Sequence, residues 1–228
     1  MKKSNILFIA SVMSCVVGIT TANIKLKSEY DNKKIASYYK EISLPPFHHI
    51  KEMTIPDSAN FSLLDITVAS SSNPGYQLLK PFYADIENNL NYQVINDTLY
   101  IRINKPFIQG NISLTILCNN LESIEGRHSR IFVNNFHSEK FKVNAEHVSS
   151  VKMQDCEIKR LMVQGKNDGT VVLADKCKID SAFFQMTDKS ILSLHNNQIR
   201  YKEFLFGEDA TLNLTGEVVK EFIPVQKQ

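Results

Sequence analysis

The stretch Leu161–Asp175 reads LMVQGKNDGTVVLAD, in which apolar pairs flank a short polar segment. A similar phrase, FKVNAEHVSSVKMQD, begins twenty residues earlier at Phe141, and a looser copy, FFQMTDKSILSLHNN, begins at Phe183. Apolar residues two positions apart point to the same side of a β-strand, so each pair marks a short strand. Because one such unit cannot bury its own apolar side, a repeat of this length predicts a solenoid of stacked coils.

Three columns of apolar residues recur with a period of about twenty. The first column contains Val133, Met153, Leu173, Leu194 and Leu214. The second contains Val143, Val163, Phe184 and Phe206, and the third contains Ile158, Ile179, Ile199 and Val219. Asn, Asp and Gly residues follow the columns, as expected at tight corners. The pattern predicts an all-β parallel β-helix with coils of about 20 residues, stacked about 4.8 Å apart. A β-sandwich is the alternative, but the Asn-Gly hairpin signals that it needs are missing.

Residues 47–120 repeat less regularly, although they contain segments typical of strands, among them LLDITV (63–68) and TLYIRI (98–103). We expect these residues to form irregular coils that cap one end of the solenoid, with regular coils over residues 121–217. Residues 47–228 would then form a single β-helix head domain.

An uncharged run from Ile6 to Ile24 follows two N-terminal lysines and is long enough to cross a bilayer. Residues 1–24 are therefore interpreted as a transmembrane signal anchor, with a cleaved signal ending at Ala22 or lipidation at Cys15 as alternatives. Residues 25–46 are polar and end in two prolines, which predicts a juxtamembrane stalk. The expected location is the cell envelope with an extracytoplasmic head; secretion and a lipid anchor are the alternatives.

The segments Thr98–Ile103 and Leu121–Gly126, followed by coil starts at Ala145, Gly165, Met186 and Gly207, resemble the bacterial auto-transporter adhesin head GIN domain family. The chain departs from that family's glycine motif, because AEH, GKN, MTD and GED stand where GSG is usual. The resemblance implies a right-handed parallel β-helix of the pectate-lyase-like type, an exported location and an adhesive role.

Composition excludes several functional classes. The 228-residue chain has a net charge of +2 with dispersed charges, so no nucleic-acid-binding stripe is indicated. Its four cysteines form no C-x-x-C pair, and no cofactor fingerprint occurs. The outward positions of the strand pairs carry no acid, whereas a glycan-cleaving site needs carboxylates. We therefore expect a non-enzymatic protein without cofactor that binds an extracytoplasmic glycan, matrix or envelope component. A polysaccharide-processing enzyme and an envelope scaffold are the alternatives.

Two corner columns contain weak candidates for metal ligands. His128 and His147 are predicted to lie one coil apart, so they could share a transition metal. Asp155 and Asp175 are predicted to stack at the opposite corner, where their repulsion would be relieved by Ca²⁺. Polar turn-forming residues are ordinary at corners, so no metal site is assigned.

Cysteine and apolar outward positions supply the remaining candidates. Cys156 and Cys177 each precede a column isoleucine by two residues, which places them on adjacent coils, as a disulfide or as buried free thiols. Outward apolar residues are expected to form a contact face, a partner surface or a surface covered by the N-terminal segment. These residues are Phe132, Met162, Val172, Phe183 and Leu205.

Overall fold

The computed structural model describes residues 21, 23, 39–53, 64–70, 76–81, 89–103 and 112–222. The predicted anchor (residues 1–24, apart from Thr21 and Asn23) and most of the predicted stalk lie outside this range. Among the described residues, no helix has the length and apolar composition needed to cross a bilayer. The described residues from Glu41 onward belong to one compact unit.

The described residues are almost entirely β-structure. In the N-terminal half, the strands are β1 Tyr39–Leu44, β2 His49–Glu52, β3 Leu64–Ala69, β4 Tyr76–Pro81, β5 Leu90–Ile95, β6 Thr98–Ile103, β7 Ile112–Leu117 and β8 Ser123–Gly126. They continue as β9 Ser129–Asn134, β10 His137–Glu146, β11 Ser150–Gln154, β12 Glu157–Lys166, β13 Thr170–Leu173, β14 Lys178–Met186, β15 Ile191–His195, β16 Gln198–Phe206 and β17 Thr211–Thr215. One short helix, α1 Val218–Phe222, follows the last strand.

From β8 onward, successive strands alternate between two parallel sheets, which is the coil-by-coil path of a β-solenoid. Sheet A has the order β1-β4-β7-β3-β9-β11-β13-β15-β17, and sheet B has the order β16-β14-β12-β10-β8-β2-β6-β5. The solenoid prediction is therefore confirmed. The long strands β10, β12, β14 and β16 each break their inward–outward alternation near their start, so one strand covers two sides of its coil.

Register confirms the first apolar column and most of the third. Val133, Met153, Leu173, Leu194 and Leu214 pair in turn across sheet A. Ile158, Ile179 and Ile199 pair across sheet B, but Val219 lies in α1, where its neighbour Val218 is buried. These residues fill the interior as stacked ladders, since each inward side chain contacts its equivalent on the next coil.

The predicted second apolar column is wrong at its last residue, Phe206. Phe184 pairs with Phe204, and their rings stack with centroids 5.1 Å apart, whereas Phe206 pairs with Met186. Lys202 consequently occupies the last position of the ladder that begins with Phe141. A lysine on the terminal strand is a common protection against edge-to-edge association, because a further strand would have to desolvate its charge.

The N-terminal coils are not stacked in chain order. Strand β2 lies between β6 and β8 in sheet B, and strand β3 lies between β7 and β9 in sheet A. The coil that contains β6 and β7 is therefore nearer the end of the solenoid than the coil that contains β2 and β3, although it comes later in the chain. Antiparallel pairing of β5 with β6 and of β4 with β7 continues this end. The prediction of an irregular cap over residues 47–120 is compatible with this arrangement, but sequence reasoning did not predict the insertion.

Strand β1 occupies Tyr39–Leu44, within the segment predicted to be a stalk. Its apolar residues Ile42 and Leu44 are partly buried against the core, which explains why this segment is ordered as a strand. The alternation of polar and apolar residues before the two prolines is the signal that could have indicated it.

Candidate functional site

The predicted contact face is divided between two surfaces. Phe132 and Val172 lie on the outer face of sheet A, separated by Lys152 in the same row. Met162 and Phe183 are register partners on the outer face of sheet B, and Leu205 lies at the end of the neighbouring row. The five residues therefore do not form one apolar patch. Met162 and Phe183 line a groove on sheet B.

The outer face of sheet B carries a groove of about 730 Å³. We call it the basic groove and define it by Lys140, Lys142, Arg160, Met162, Phe183 and Tyr201. Lys140, Arg160 and Tyr201 belong to one outward row, which Ser181 completes, and Lys142, Met162 and Phe183 belong to the next row. Met162 is 41% exposed and Tyr201 is 63% exposed, so apolar surface in this groove faces solvent.

Within the part of the chain that the structure describes, the lysines and the arginine of the basic groove have no carboxylate oxygen within 4.0 Å. Glu122 and Glu203 also contribute to its walls, together with Lys202. Arg200 lies over the ring of Tyr201, with its guanidinium carbon 5.3 Å from the ring centroid. This cation–π contact helps to orient an aromatic ring that is otherwise open to a ligand.

A second groove, of about 860 Å³, lies at the bend of the same strands. We call it the ion-pair groove, because several of its charged side chains form ion pairs with one another. Lys140 and Glu122 line both grooves. Lys159 Nζ is 2.7 Å from Glu139 Oε1, and Lys178 Nζ is 3.2 Å from Glu157 Oε1. His137 Nε2 is also 3.3 Å from Glu157 Oε2. The side chains of Glu139 and Glu157 are more than half exposed, so both carboxylates remain solvated.

The corner histidines stack as predicted. The rings of His128 and His147 lie with centroids 5.7 Å apart and planes 24° apart. Burial, followed by the neighbouring His147 and Arg127, lowers the pKa of His128 below its usual value. Glu146 is close to this corner, with its Oε2 4.0 Å from His147 Nε2 and 3.8 Å from Arg127 Nε. Across the described residues, no group of three or more potential ligands is placed to hold a metal ion.

The opposite corner does not stack Asp155 on Asp175 as equivalent residues. One extra residue in the later coil places Lys176, with φ 65°, at the left-handed position that Asp155 occupies with φ 53°. Lys176 Nζ is 3.8 Å from Asp155 Oδ1, and Asn196 Nδ2 donates a 2.8 Å hydrogen bond to Asp175 Oδ1. A lysine and an amide therefore contact the two carboxylates that were considered as weak candidates for Ca²⁺ ligands.

Cys156 and Cys177 are buried free thiols on adjacent coils. Their sulfurs lie 3.6 Å from the carbonyl oxygens of Val133 and Met153, respectively. In the next coil, Asn197 Nδ2 repeats this contact by donating a 2.8 Å hydrogen bond to the Leu173 carbonyl. The Cys156 thiol, and then burial, raise the pKa of Cys177. Adjacency on neighbouring coils was predicted correctly, whereas a disulfide between them stays a prediction.

Glu52 is a buried acidic residue that the sequence analysis did not identify as a candidate. It is fully buried at the end of β2, where its Oε2 accepts hydrogen bonds of 2.8 Å from Arg127 N and 3.2 Å from His128 N. Ser129 Oγ lies 3.4 Å from the same oxygen. Burial raises the pKa of Glu52 to about 7, although the hydrogen bonds act in the opposite direction. An acidic residue at an inward strand position was the available signal.

A carboxyl group with a raised pKa can act as a general acid only where substrate reaches it. Glu52 is sealed inside the solenoid, and its described contacts connect one coil to the turn of the next. Its role is therefore structural. Glu139 and Glu157 of the ion-pair groove are solvated and paired with lysines, unlike a general acid whose pKa is raised by burial.

No protein-family model and no curated protein sequence matches this chain. The crystal structure of a "putative adhesin" from Bacteroides fragilis NCTC 9343 matches with a TM-score of 0.54 and 14% identity, over 78% of this chain and 96% of that chain. Another "putative adhesin", from Parabacteroides merdae ATCC 43184, matches with a TM-score of 0.42 and 10% identity, over 78% and 95%. A "putative lipid binding protein" from Parabacteroides distasonis ATCC 8503 matches with a TM-score of 0.41 and 11% identity, over 78% of this chain and 94% of that chain. The head GIN family resemblance stays a prediction. This chain shares its fold with the Bacteroides fragilis protein.

Proposed function

We propose that this protein is an exported, envelope-anchored β-solenoid that binds an extracytoplasmic polymer or protein without changing it chemically. The observation that carries the proposal is the basic groove on the outer face of sheet B. There, cations that have no ion-pair partner among the described residues lie beside exposed apolar side chains. Such a surface favours a ligand, because binding would remove its apolar groups from water and could offset the repulsion among its cations.

Rigidity supports a binding role. The residues of the basic groove project from β10, β12, β14 and β16, whose backbones are paired in continuous parallel register. Their positions are therefore set before a ligand arrives, which lowers the ordering cost of association. The shared fold with the Bacteroides fragilis protein described as a putative adhesin is consistent with an adhesin-like role.

Anchoring is proposed from the uncharged run Ile6–Ile24, which is long enough to cross a bilayer. The full-length protein is expected in the membrane fraction and should resist extraction by high salt, because hydrophobic insertion does not depend on screening. A mature protein that starts at Asn23 in the culture medium would instead establish a cleaved signal and refute anchoring.

The binding proposal is tested by incubating the full-length protein in mild detergent with a panel of glycans and matrix proteins. Retention and product formation are scored separately. We expect retention without products, reduced by Met162→Asp in the basic groove and unaffected by Val172→Asp on sheet A. Val172 is a matched control, because it is an outward apolar residue on the other sheet.

Product formation that is abolished by Glu157→Gln would overturn the non-enzymatic proposal in favour of polysaccharide processing in the ion-pair groove. Equal loss of retention in the Met162 and Val172 variants would show that the basic groove is not the binding surface. Absence of retention across the panel would favour a scaffold role.

A further inference from the structure

We propose that the basic groove binds an acidic polysaccharide, a chain whose sugar units carry carboxylate or sulfate groups. This inference rests on the proposed function, because it specifies the ligand class for the same surface. It is carried by three cations, Lys140, Lys142 and Arg160, that form no ion pair with the described residues and lie beside exposed apolar and aromatic side chains.

The three cations are close enough to act on one anionic segment. Lys140 and Arg160 are register partners on β10 and β12, and Lys142 lies two residues further along the same face of β10. Neighbouring strands are about 4.8 Å apart, and residues two apart on a strand are separated by about 6.6 Å. Successive anionic groups on an extended polymer can therefore engage more than one cation at once.

The contrast with the ion-pair groove makes this charge distribution informative. There, Lys159 and Lys178 are each within 3.2 Å of a carboxylate oxygen. In the basic groove, Glu203 faces outward beside Phe183, and Glu122 contributes to the wall near Lys140. Together with Lys202, four cations and two carboxylates line the basic groove, so its net charge is +2 with histidine neutral. An anionic partner would reduce the repulsion among these cations.

Aromatic and apolar side chains favour a sugar over other anionic ligands. Phe183 lies beside Met162, and Tyr201 lies two residues from the register partner of Phe183. Ring faces and apolar edges of this kind pack against the C–H faces of pyranose rings. An acidic peptide would gain most from a free strand edge, whereas this groove lies on the face of a paired sheet. A lipid tail would need a more enclosed apolar cavity than three side chains provide.

The test measures binding of the full-length protein to polygalacturonate and chondroitin sulfate, with dextran as the neutral control. Lys142→Ala/Arg160→Ala is expected to weaken binding to the acidic chains about tenfold or more, since two charge-assisted contacts are lost. Lys159→Ala/Lys178→Ala changes the net charge equally but should alter binding by less than about threefold. Glu203→Gln is expected to strengthen binding, because it removes a repelling carboxylate without enlarging any cavity.

Circular dichroism and thermal unfolding of each variant establish that it is folded. Equal weakening of binding by the two double variants, or weaker binding by Glu203→Gln, would overturn the assignment to the basic groove. Tighter binding to poly-glutamate or to phosphatidylglycerol vesicles than to either acidic polysaccharide would replace the sugar with a peptide or a lipid surface. Retention of only neutral glycans or proteins would refute the acidic ligand class while leaving the proposed binding function intact.

Discussion

The buried carboxyl group of Glu52 predicts an unusual dependence of stability on pH. Its pKa rises from 4.5 to about 7 on folding, chiefly because burial disfavours the charged form. Between these two values the folded state binds more protons than the unfolded state, so the free energy of unfolding falls as pH rises. The stability contributed by the neutral form is fully present below pH 4.5 and is lost as pH rises through about 7.

Linkage converts this shift into a magnitude. Between pH 5 and pH 8, the two pKa values correspond to a loss of about 2.5 kcal/mol from this single group. The Glu52→Gln variant cannot ionise, and its amide oxygen can still accept the hydrogen bonds from Arg127 N and His128 N. Any constant cost of its unpaired amide nitrogen affects both pH values equally and cancels from the difference.

Urea unfolding of wild type and Glu52→Gln, followed by far-UV circular dichroism at pH 5 and pH 8, measures the effect. The stability of the variant relative to wild type should increase by about 2–3 kcal/mol at the higher pH. Burial lowers the pKa of His128, but this residue is present in both proteins, so its own titration contributes equally to both stabilities. A relative stability that stays constant within about 0.5 kcal/mol would refute the assignment of a buried, raised-pKa carboxyl to Glu52.

Three further stability predictions follow from the coil geometry, each measured by urea or thermal unfolding. Val163→Asp places an unpaired carboxylate in the buried ladder and should cost several kcal/mol, whereas the outward Lys142→Asp should cost about 0.5 kcal/mol or less; equal tolerance would contradict the register. Val148 is 65% exposed with φ 64°, so Val148→Asn should stabilise the protein by about 1 kcal/mol, and no gain would show that the turn is unstrained. Gly216→Ala should destabilise by about 1 kcal/mol or more because of its φ of 71° and the close Asn196 side chain, while Gly207→Ala should be nearly neutral; the reverse order would refute this account.

The sequence alone determined the coil period, the inward face and most of the corners. Each regular coil repeats the same local problem, because apolar residues two apart must face inward and the chain must turn at a fixed spacing. The first apolar column could therefore be read without tertiary information. Asn135, Asp155, Asn167, Asp188 and Asn196 all adopt the positive φ values expected of corner residues. Outward cations were visible in the sequence, but their partners were not.

Tertiary structure decided the features that depend on which strand lies beside which. The sequence spacing allowed either Phe204 or Phe206 to continue the second column, and the pairing of β14 with β16 selects Phe204. One extra residue in a single corner replaced Asp175 by Lys176 at the left-handed position, which removed the expected carboxylate pair. The spacing from Leu173 to Ile179 is one residue longer than that from Met153 to Ile158, so the extra residue is visible in the sequence. The spacing does not indicate which residue of the longer corner takes the left-handed position, because that depends on how the coils stack.

The candidate site depends on long-range packing in the same way. Insertion of β2 between β6 and β8 joins residues that are far apart in the chain, and it buries Glu52 against the turn at Arg127. The basic groove arises because register aligns Lys140 with Arg160, whereas Lys159 and Lys178 lie beside acids. Local sequence specifies which side of a strand each charged residue occupies, but the opposite charges that neutralise that residue are supplied by other coils. Coil stacking, rather than residue type alone, therefore determines which cations remain available to a ligand.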